Sequence, residues 1–370
     1  YRGKKTLWAY APGKPDDPFP VIILPYDKIT AQAQSAQDLV RKNTSDWLKL
    51  AALIFVAAII LSLILAYLAS QRITRPLTRL SSAAQKLSQG DYKATVHIQT
   101  RDELQALGEI FNSMGPRLEE NERMHQALTL ARETQQYLLP KKPPKLDNFD
   151  IAGLSIYSDE TGGDYYDFIE LLELKGNKLA IAVGDITGHG LGAALLMASA
   201  RGALRSHAER YHANLRRLFQ MLNRHLVRDT GDDQFLTLFY SILNIENNTL
   251  NWISAGHDPA IWVHYQDKSI TELSNTGMPL GISAEAHYDL GKAVSFKQND
   301  ILVLGTDGIW EARNVHGDMF GKERVKNILL NSVQLSAQEI CELIIDAVKE
   351  FRGARAQEDD ITLVIIKMTQ

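Results

Sequence analysis

Four short acidic motifs in the second half of the chain could carry out chemistry together. They are Gly-Gly-Asp at 162–164, Gly-Asp-Ile-Thr-Gly-His-Gly at 184–190, Thr-Asp-Gly at 306–308 and Glu-Asp-Asp at 358–360. A single aspartate in such a place is commonly a turn or a helix cap. Four motifs, each beside a glycine or at the border of an apolar run, indicate one shared site.

A group of buried carboxylates requires a cation. Asp185 follows an apolar, strand-like run at 179–183, and burial of such a charge is costly unless a cation meets it. Neighbouring carboxylates cannot all stay ionised unaided. Oxygen ligands without a His/Cys set favour Mg²⁺ or Mn²⁺ over Zn²⁺. The motifs therefore predict a metal centre formed by Asp164, Asp185, Asp307, Asp359 and Asp360.

Apolar runs predict the strands and helices that must position these motifs. Strands are predicted at 179–183, 237–245, 249–254, 260–265, 301–304 and 361–366, with a turn at Asn247-Asn248. Helices are predicted at 191–209, 214–227, 322–331 and 337–351. Hairpin-like strands with clustered helices indicate an α+β fold in which helices cover antiparallel sheets. Carboxylates at the ends of neighbouring strands can then meet at one edge.

Length and composition narrow the function classes. The chain has 370 residues, of which 45% are hydrophobic and 23% charged, as in a globular protein of two or more domains. A net charge of −4 provides no basic field for nucleic acid. The single cysteine, Cys341, excludes an intramolecular disulfide, and its apolar helical surroundings predict a buried core thiol.

An uncharged stretch at 50–71 is long enough to cross a membrane, because a helix of this length spans about 33 Å. Trp47 and Tyr67 lie near its ends, where interfacial aromatic residues belong. We predict a transmembrane helix over 48–70.

Strand-like pieces at 6–11 and 20–25 indicate that 1–46 is the remnant of an extracytoplasmic sensor domain that begins upstream. Basic residues flank both ends of the span, so charge alone does not fix its orientation.

Two heptad seams follow the membrane stretch. Their apolar positions are Ile73, Leu77, Leu80, Ala84 and Leu87, then Leu104, Leu107, Phe111, Met114 and Leu118. With Pro76, the Gly90-Asp91 break and the opening at 102–104, the region resembles a HAMP domain, assigned to 71–122, with a linker helix at 123–139. The resemblance implies signalling across an inner membrane (with another span upstream), a cytoplasmic catalytic domain, and a homodimer formed through the HAMP and linker helices.

The remaining motifs carry a second resemblance. They lie at 131–140, 162–168, 184–190, 254–259, 277–281, 306–309 and 359–363. With these motifs, residues 133–370 resemble the SpoIIE/RsbU branch of metal-dependent Ser/Thr phosphatases, relatives of protein phosphatase 2C. The resemblance implies an antiparallel β-sandwich flanked by helices over 140–370, with a two-metal site at one end. The whole layout resembles membrane phosphatases of the SiaA type.

The family resemblance also implies a role for each motif. Asp185 would bridge two metals and the carbonyl of Ile186 would bind one of them. Asp164 would serve the second metal, and Asp307 and Asp359 would complete the first; the sequence does not choose between Asp359 and Asp360. Two Mn²⁺ or Mg²⁺ ions would lower the pKa of a bridging water to give hydroxide, which would attack phosphorus in line. The catalytic assignment is therefore Asp164, Asp185 and Asp307.

Three further residues in or beside these motifs are candidates for a structural or functional role. His189 suits either a general acid or a structural turn between two glycines. His257 is interpreted as structural. Trp310, where the family commonly has a smaller residue, is expected to shape a substrate or partner surface.

Family resemblance implies a phosphorylated serine or threonine on a STAS-type, anti-sigma-antagonist-like protein as the substrate. A non-catalytic signalling module with the same fold is one alternative. A cyclic-dinucleotide synthase is another, because Gly-Gly-Asp follows a HAMP domain, but Tyr165-Tyr166 replaces the Glu-Phe of that motif. A histidine kinase lacks support because no phosphoacceptor helix followed by a glycine-rich ATP lid is evident.

The heptad seam breaks between the HAMP domain and the linker helix. Its next positions are the polar Asn121 and His125, and apolar stepping resumes in a new phase at Leu128 and Ala131. A solvated linker explains this break, and so does a phase change that lets a dimer switch between two packings. If the break is a switch, replacing Asn121 and His125 with leucine locks phosphatase activity high or low. Hydrolysis that responds to the signal as in the unmodified chain would exclude the switch.

Overall fold

The computed structural model describes residues 3–11, 13–15, 18, 20–171, 178–231 and 233–369. The chain divides into two compact units, Tyr1–Asn121 and Glu122–Gln370.

The first unit begins with a hairpin and a long helical stretch. Strands β1 (Thr6–Tyr10) and β2 (Val21–Pro25) pair antiparallel. Helix α1 (Tyr26–Ala69), a π-helical turn (Ser70–Thr74) and α2 (Arg75–Ser88) follow without a break. Within the described residues, the stretch from Tyr26 to Ser88 is the one helix long and apolar enough to cross a membrane, with a mean hydropathy of 2.8 in its apolar window.

The two heptad segments share a small core within one copy of the chain. Helix α3 extends from Glu103 to Leu138. Ala83, Val96, Ile98 and Phe111 are buried together, with Leu80, Leu87 and Leu104 packed against them. The side chain of Asn112 accepts a hydrogen bond from Val96 N (2.8 Å) and donates one to Val96 O (2.9 Å), which fixes the connector to α3. The other seam residues stay exposed, among them Leu77, Leu107, Met114 and Leu118.

The second unit is a β-sandwich covered by helices. Its strands are β3 (Phe149–Ile156), β4 (Tyr165–Glu170), β5 (Lys178–Ile186), β6 (Leu236–Asn244), β7 (Thr249–Ala255), β8 (Ala260–Val263), β9 (Ile270–Leu273), β10 (Val294–Ser295), β11 (Ile301–Gly305) and β12 (Ile361–Met368). Its helices are α4 (Leu191–Tyr211), α5 (Leu215–Asp229), α6 (Asp307–Trp310), α7 (Lys322–Asn331) and α8 (Ala337–Arg352). Two five-stranded sheets have the orders β10-β7-β6-β5-β4 and β3-β12-β11-β8-β9, with antiparallel pairing.

The second unit has four layers: helices, sheet, sheet and helices. They arise because side chains alternate along each strand between the core shared by the two sheets and a core beneath the helices. In β5, Leu179, Ile181 and Val183 lie in the core between the sheets, whereas Ala180 and Ala182 face the core shared with α4 and α5. In β11, Leu302 and Leu304 face the other sheet, and Ile301 and Val303 pack with α7 and α8. Both sheets are therefore buried on two faces, which explains why their strands read as continuous apolar runs.

The predicted α+β fold, an antiparallel sandwich flanked by helices, is confirmed. The predicted strands and helices of this unit are present, with ends that differ by up to three residues. Apolar patterning did not predict β3, β4, β9, β10 or α6. Strand β4 was missed because a buried aspartate, Asp167, interrupts its apolar run.

Asp167 is paired with arginine and lies in the acidic segment 162–167 without belonging to the acidic site. Its carboxylate is fully buried and accepts two hydrogen bonds from Arg205 of α4, each 2.6 Å long. The hydroxyl of Tyr165 donates a third at 2.7 Å, and Arg201 lies 3.8 Å away. This bidentate ion pair fixes α4 to the sheet.

Removing this charge is expected to destabilise the second unit. Asp167→Asn breaks the bidentate pair and leaves Arg205 without its partner, at a cost of about 2 kcal/mol or more because Asp167 is buried. Urea unfolding measures the free energy of unfolding. Asp346→Asn is the matched control, because Asp346 is 75% exposed and pairs only on the surface with Lys349. Equal stability of the two variants would contradict this role of Asp167.

Candidate metal centre

Strand register brings the four acidic motifs to the same end of the sandwich. Asp164 immediately precedes β4, and Tyr165 of β4 pairs with Gly184 of β5, so Asp164 lies beside Asp185. In the other sheet, Gly305 at the end of β11 pairs with Leu363 near the start of β12. The residues after β11 and before β12, which include Asp307 and Asp359, are therefore neighbours.

Asp164 is a fully buried carboxylate at the centre of this arrangement. Its Oδ2 accepts a 2.7 Å hydrogen bond from the Thr306 hydroxyl, and its backbone N–H approaches Asp360 Oδ2 at 3.5 Å. Burial, with the charges of Asp185 and Asp360, raises the pKa of Asp164 well above its ordinary value. Thr306 therefore holds the side chain in place, but no lysine or arginine among the described residues pairs with its charge.

Asp185 and Asp307 are perturbed in the same way. Burial, followed by the charges of Asp307, Asp359 and Asp360, raises the pKa of Asp185 to about 7. Burial and the charges of Asp359, Glu311 and Asp258 raise the pKa of Asp307 to about 6. Such mutual effects require short separations, so these acids form one electrostatic site.

Glycines bring the backbone against this site. A Cβ at Gly163 would lie 2.6 Å from the carbonyl oxygen of Ile186, and a Cβ at Gly162 would overlap Asp360 Oδ2. A Cβ at Gly308 would overlap the backbone oxygen of Asp360. The glycines of two motifs are thus needed for close packing rather than for turns alone.

Asp359 and Asp360 have different surroundings. Asp360 is buried, and its Oδ1 accepts hydrogen bonds from the backbone N–H (2.8 Å) and hydroxyl (3.2 Å) of Ser158. Asp359 is exposed; its Oδ1 accepts a bond from Asp360 N, and partial burial raises its pKa. Asp360 is therefore engaged by the protein, whereas Asp359 is exposed to solvent.

A cleft of about 270 Å³ opens onto Asp185 and Asp307. His257 lines it with Nδ1 2.9 Å from the Thr237 hydroxyl, and its buried Nε2 has no partner among the described residues. Burial lowers the pKa of His257 to about 4, so its ring is neutral at physiological pH. Thr237, Asp258 and Glu311 also line the cleft; Asp258 belongs to the motif at 254–259, whereas no motif included Thr237 or Glu311.

His189 lies in the turn after β5. It is exposed, and its Nδ1 is 2.9 Å from Asp159 Oδ2. Gly188 and Gly190 on either side have φ angles of 88° and 77°, which favour glycine. The turn is thus present, and the contact with Asp159 is one that sequence alone did not reveal.

Trp310 is not a surface residue, contrary to the expectation from sequence. It is 6% exposed, and its Nε1 donates to Asp258 Oδ2 at 2.8 Å. Lys322 binds the other oxygen of Asp258 at 2.7 Å and lies 4.6 Å above the Trp310 ring. The indole anchors Asp258 instead of shaping an outer surface.

The donor set fits hard divalent cations. Carboxylates and one close backbone carbonyl are the ligands that Mg²⁺ and Mn²⁺ prefer. Among the described residues, no lysine or arginine forms an ion pair with Asp164, Asp185 or Asp307, in contrast to Asp167. No three acidic, histidine or cysteine side chains there form a ready-made ligand set, so the carboxylates would have to adjust on binding a metal.

Comparison with protein families gives two matches. The family described as "Stage II sporulation protein E (SpoIIE)" matches residues 175–369, more than half of the chain, and the HAMP domain matches residues 68–120.

Two similar proteins cover different shares of the chain. The phosphoserine phosphatase RsbU of Bacillus subtilis is 28% identical over 241 residues, which are 65% of this chain and 69% of RsbU. Protein IcfG of Synechocystis is 26% identical over 330 residues, which are 79% of this chain and 51% of IcfG.

Solved structures share the sandwich. The SiaA-PP2C domain of Pseudomonas aeruginosa has a TM-score of 0.58 at 21% identity, over 67% of this chain and 98% of that domain. The SpoIIE phosphatase domain with a regulatory fragment, from Bacillus subtilis, has a TM-score of 0.50 at 23% identity, over 61% and 64%. The chain belongs to the SpoIIE family of PP2C-like serine phosphatases and carries a HAMP domain before the phosphatase fold.

Proposed function

We propose that this chain is a membrane-anchored, signal-regulated phosphatase that removes phosphate from serine or threonine of a STAS-type partner protein. One observation carries the proposal: the acids of four separate motifs lie at one end of the sandwich, close enough to perturb pKa values within the group, and within the described residues no lysine or arginine pairs with Asp164, Asp185 or Asp307. Metal dependence is the rule in the PP2C family, and the donor set here is consistent with it.

The metal ligands proposed are Asp164, Asp185, the carbonyl of Ile186, Asp307 and Asp359. Asp360 is assigned to the same site, where its bonds to Ser158 favour a supporting role over direct binding. Two Mn²⁺ or Mg²⁺ ions bound here would supply charge that stabilises the phosphoryl oxygens and lowers the pKa of a water nucleophile.

The residues of the chain orient the site. Thr306 holds Asp164 through one hydroxyl, and Thr306 Oγ1 also accepts a 3.0 Å bond from Thr362 N, which ties it to β12. His257 stays neutral and adds no cation. Cys341 is fully buried on the core face of α8, and burial raises its pKa to about 12, so it is unsuited to act as a nucleophile.

Regulation and substrate are inferred from the layout. The apolar part of α1 supports an inner-membrane span at 48–70, followed by HAMP (71–122), linker (123–139) and phosphatase (140–370) domains, with catalysis in the cytoplasm. The exposed seam residues Leu77, Leu107 and Met114 support a homodimer. The name of RsbU, phosphoserine phosphatase, supports a phosphoserine substrate.

The alternatives have weaker support. A cyclic-dinucleotide synthase is set aside because Gly162-Gly163-Asp164 lies before β4 of a PP2C-like sandwich. A non-catalytic module would not require the acids of four motifs to lie together at one end of the sandwich.

Metal-dependent hydrolysis is expected from the purified 370-residue chain. Asp185→Ala and Asp307→Ala should each lower the hydrolysis of an aryl phosphate with Mn²⁺ by about 100-fold or more, because each removes a proposed ligand. Chelator should abolish the activity of the unmodified chain. Asp346→Ala, on the exposed surface, serves as the control. Full activity in chelator, or in both ligand variants, would refute the two-metal assignment.

The stability of the metal-free chain should depend on Asp185. Burial and the neighbouring acids raise its pKa to about 7 in the folded state, from an ordinary value of 3.8. Its favourable contribution is therefore present below pH 4 and lost as the pH rises through 7. In chelator, Asp185→Asn should stabilise the chain by on the order of 2 kcal/mol at pH 8 and by little at pH 4.

Thermal unfolding at the two pH values measures this difference. Mn²⁺ should raise the midpoint of the unmodified chain and have a smaller effect on the variant. A variant that is less stable than the unmodified chain at pH 8 in chelator would show that Asp185 is compensated by the protein itself.

A further inference from the structure

A buried amide connects the end of α3 to the metal-site loop. Gln135 lies in the last turn of α3 and is 4% exposed, whereas its neighbours Thr134 and Gln136 are exposed. Burial of a glutamine requires partners for both its donor and its acceptor.

Both partners come from one residue of the loop between β3 and β4. Gln135 Nε2 donates to Gly162 O at 2.6 Å, and Gly162 N donates to Gln135 Oε1 at 3.2 Å. One side chain thus satisfies both backbone groups of Gly162, as a neighbouring strand would. This loop has no strand pairing of its own between Ile156 and Tyr165.

Gly162 begins a run of three residues that contact the acidic site. Gly162 packs against Asp360, Gly163 packs against the carbonyl of Ile186, and Asp164 is itself a proposed ligand. Because Gly162 and Gly163 are in close contact with Asp360 and Ile186, a shift of Gly162 must move Asp164 relative to these two residues.

We propose that Gln135 is a positioning residue that holds the loop 162–164 in the geometry required for metal binding. The inference rests on the proposed function, since it needs Asp164 as a ligand. Gln135 touches neither the metal nor the substrate and acts through Gly162. A movement of the last turn of α3 would consequently change the metal affinity through this one side chain.

Metal binding and loop mobility test the proposal without relying on turnover. In the full chain, Gln135→Ala and Gln135→Met each remove both hydrogen bonds, and methionine keeps the length and helix propensity of glutamine. Both should weaken Mn²⁺ binding about tenfold by calorimetric titration, because the two bonds that fix the loop are lost. Amide hydrogen exchange across 158–164 should become faster. Gln136→Ala, the exposed neighbour, should match the unmodified chain in both measurements.

Mn²⁺ affinity within twofold of the unmodified chain in both Gln135 variants would overturn the proposal. If only the alanine variant fails to fold, the Mn²⁺ affinity of the methionine variant tests the proposal. If neither variant gives a cooperative unfolding transition, Gln135 supports the whole domain rather than the site, and the proposal is wrong. An unmodified chain that neither binds Mn²⁺ nor hydrolyses phosphate would instead refute the proposed function, and this inference with it.

Discussion

Electrostatic repulsion among buried carboxylates is the constraint on which the catalytic unit depends. Burial and the charges of neighbouring acids raise the pKa of Asp164, Asp185 and Asp307. Such an arrangement lowers the stability of the fold at neutral pH, and cations bound at the proposed site would offset that cost. The sandwich tolerates this cost because its two sheets are packed on both faces, with apolar side chains between the sheets and beneath the helices.

Two aspartates of the catalytic unit, Asp167 and Asp185, differ in the partners of their carboxylates. Asp167 receives two hydrogen bonds from Arg205 and one from Tyr165, and so contributes to the packing of α4. Asp185 lies on β5, the strand that pairs with the strand of Asp167, and has no arginine or lysine ion-pair partner among the described residues. Since the two residues are equally acidic in isolation, the difference in partners separates a structural aspartate from a proposed metal ligand.

Amide side chains form matching connections at two points of α3. Asn112 binds both backbone groups of Val96 in the HAMP region, and Gln135 binds both backbone groups of Gly162 beside the acidic site. Each amide replaces the pairing that a strand would provide to an irregular segment. Both segments are thereby held to a helix, which is a rigid element. In the second unit, this coupling places the last turn of α3 next to the proposed ligands.

The sequence by itself determined six of the ten strands of the sandwich, four of its five helices and the four acidic motifs, because alternation, apolar runs and glycine-aspartate pairs are local signals. It could not separate Asp359 from Asp360, because adjacent residues share the same local pattern; only the tertiary structure buries Asp360 against Ser158 and exposes Asp359. It misplaced Trp310, because the partner Asp258 lies 52 residues away. It also left Gln135 unassigned, because a helical glutamine is ordinary until the fold brings Gly162, 27 residues later in the chain, against it.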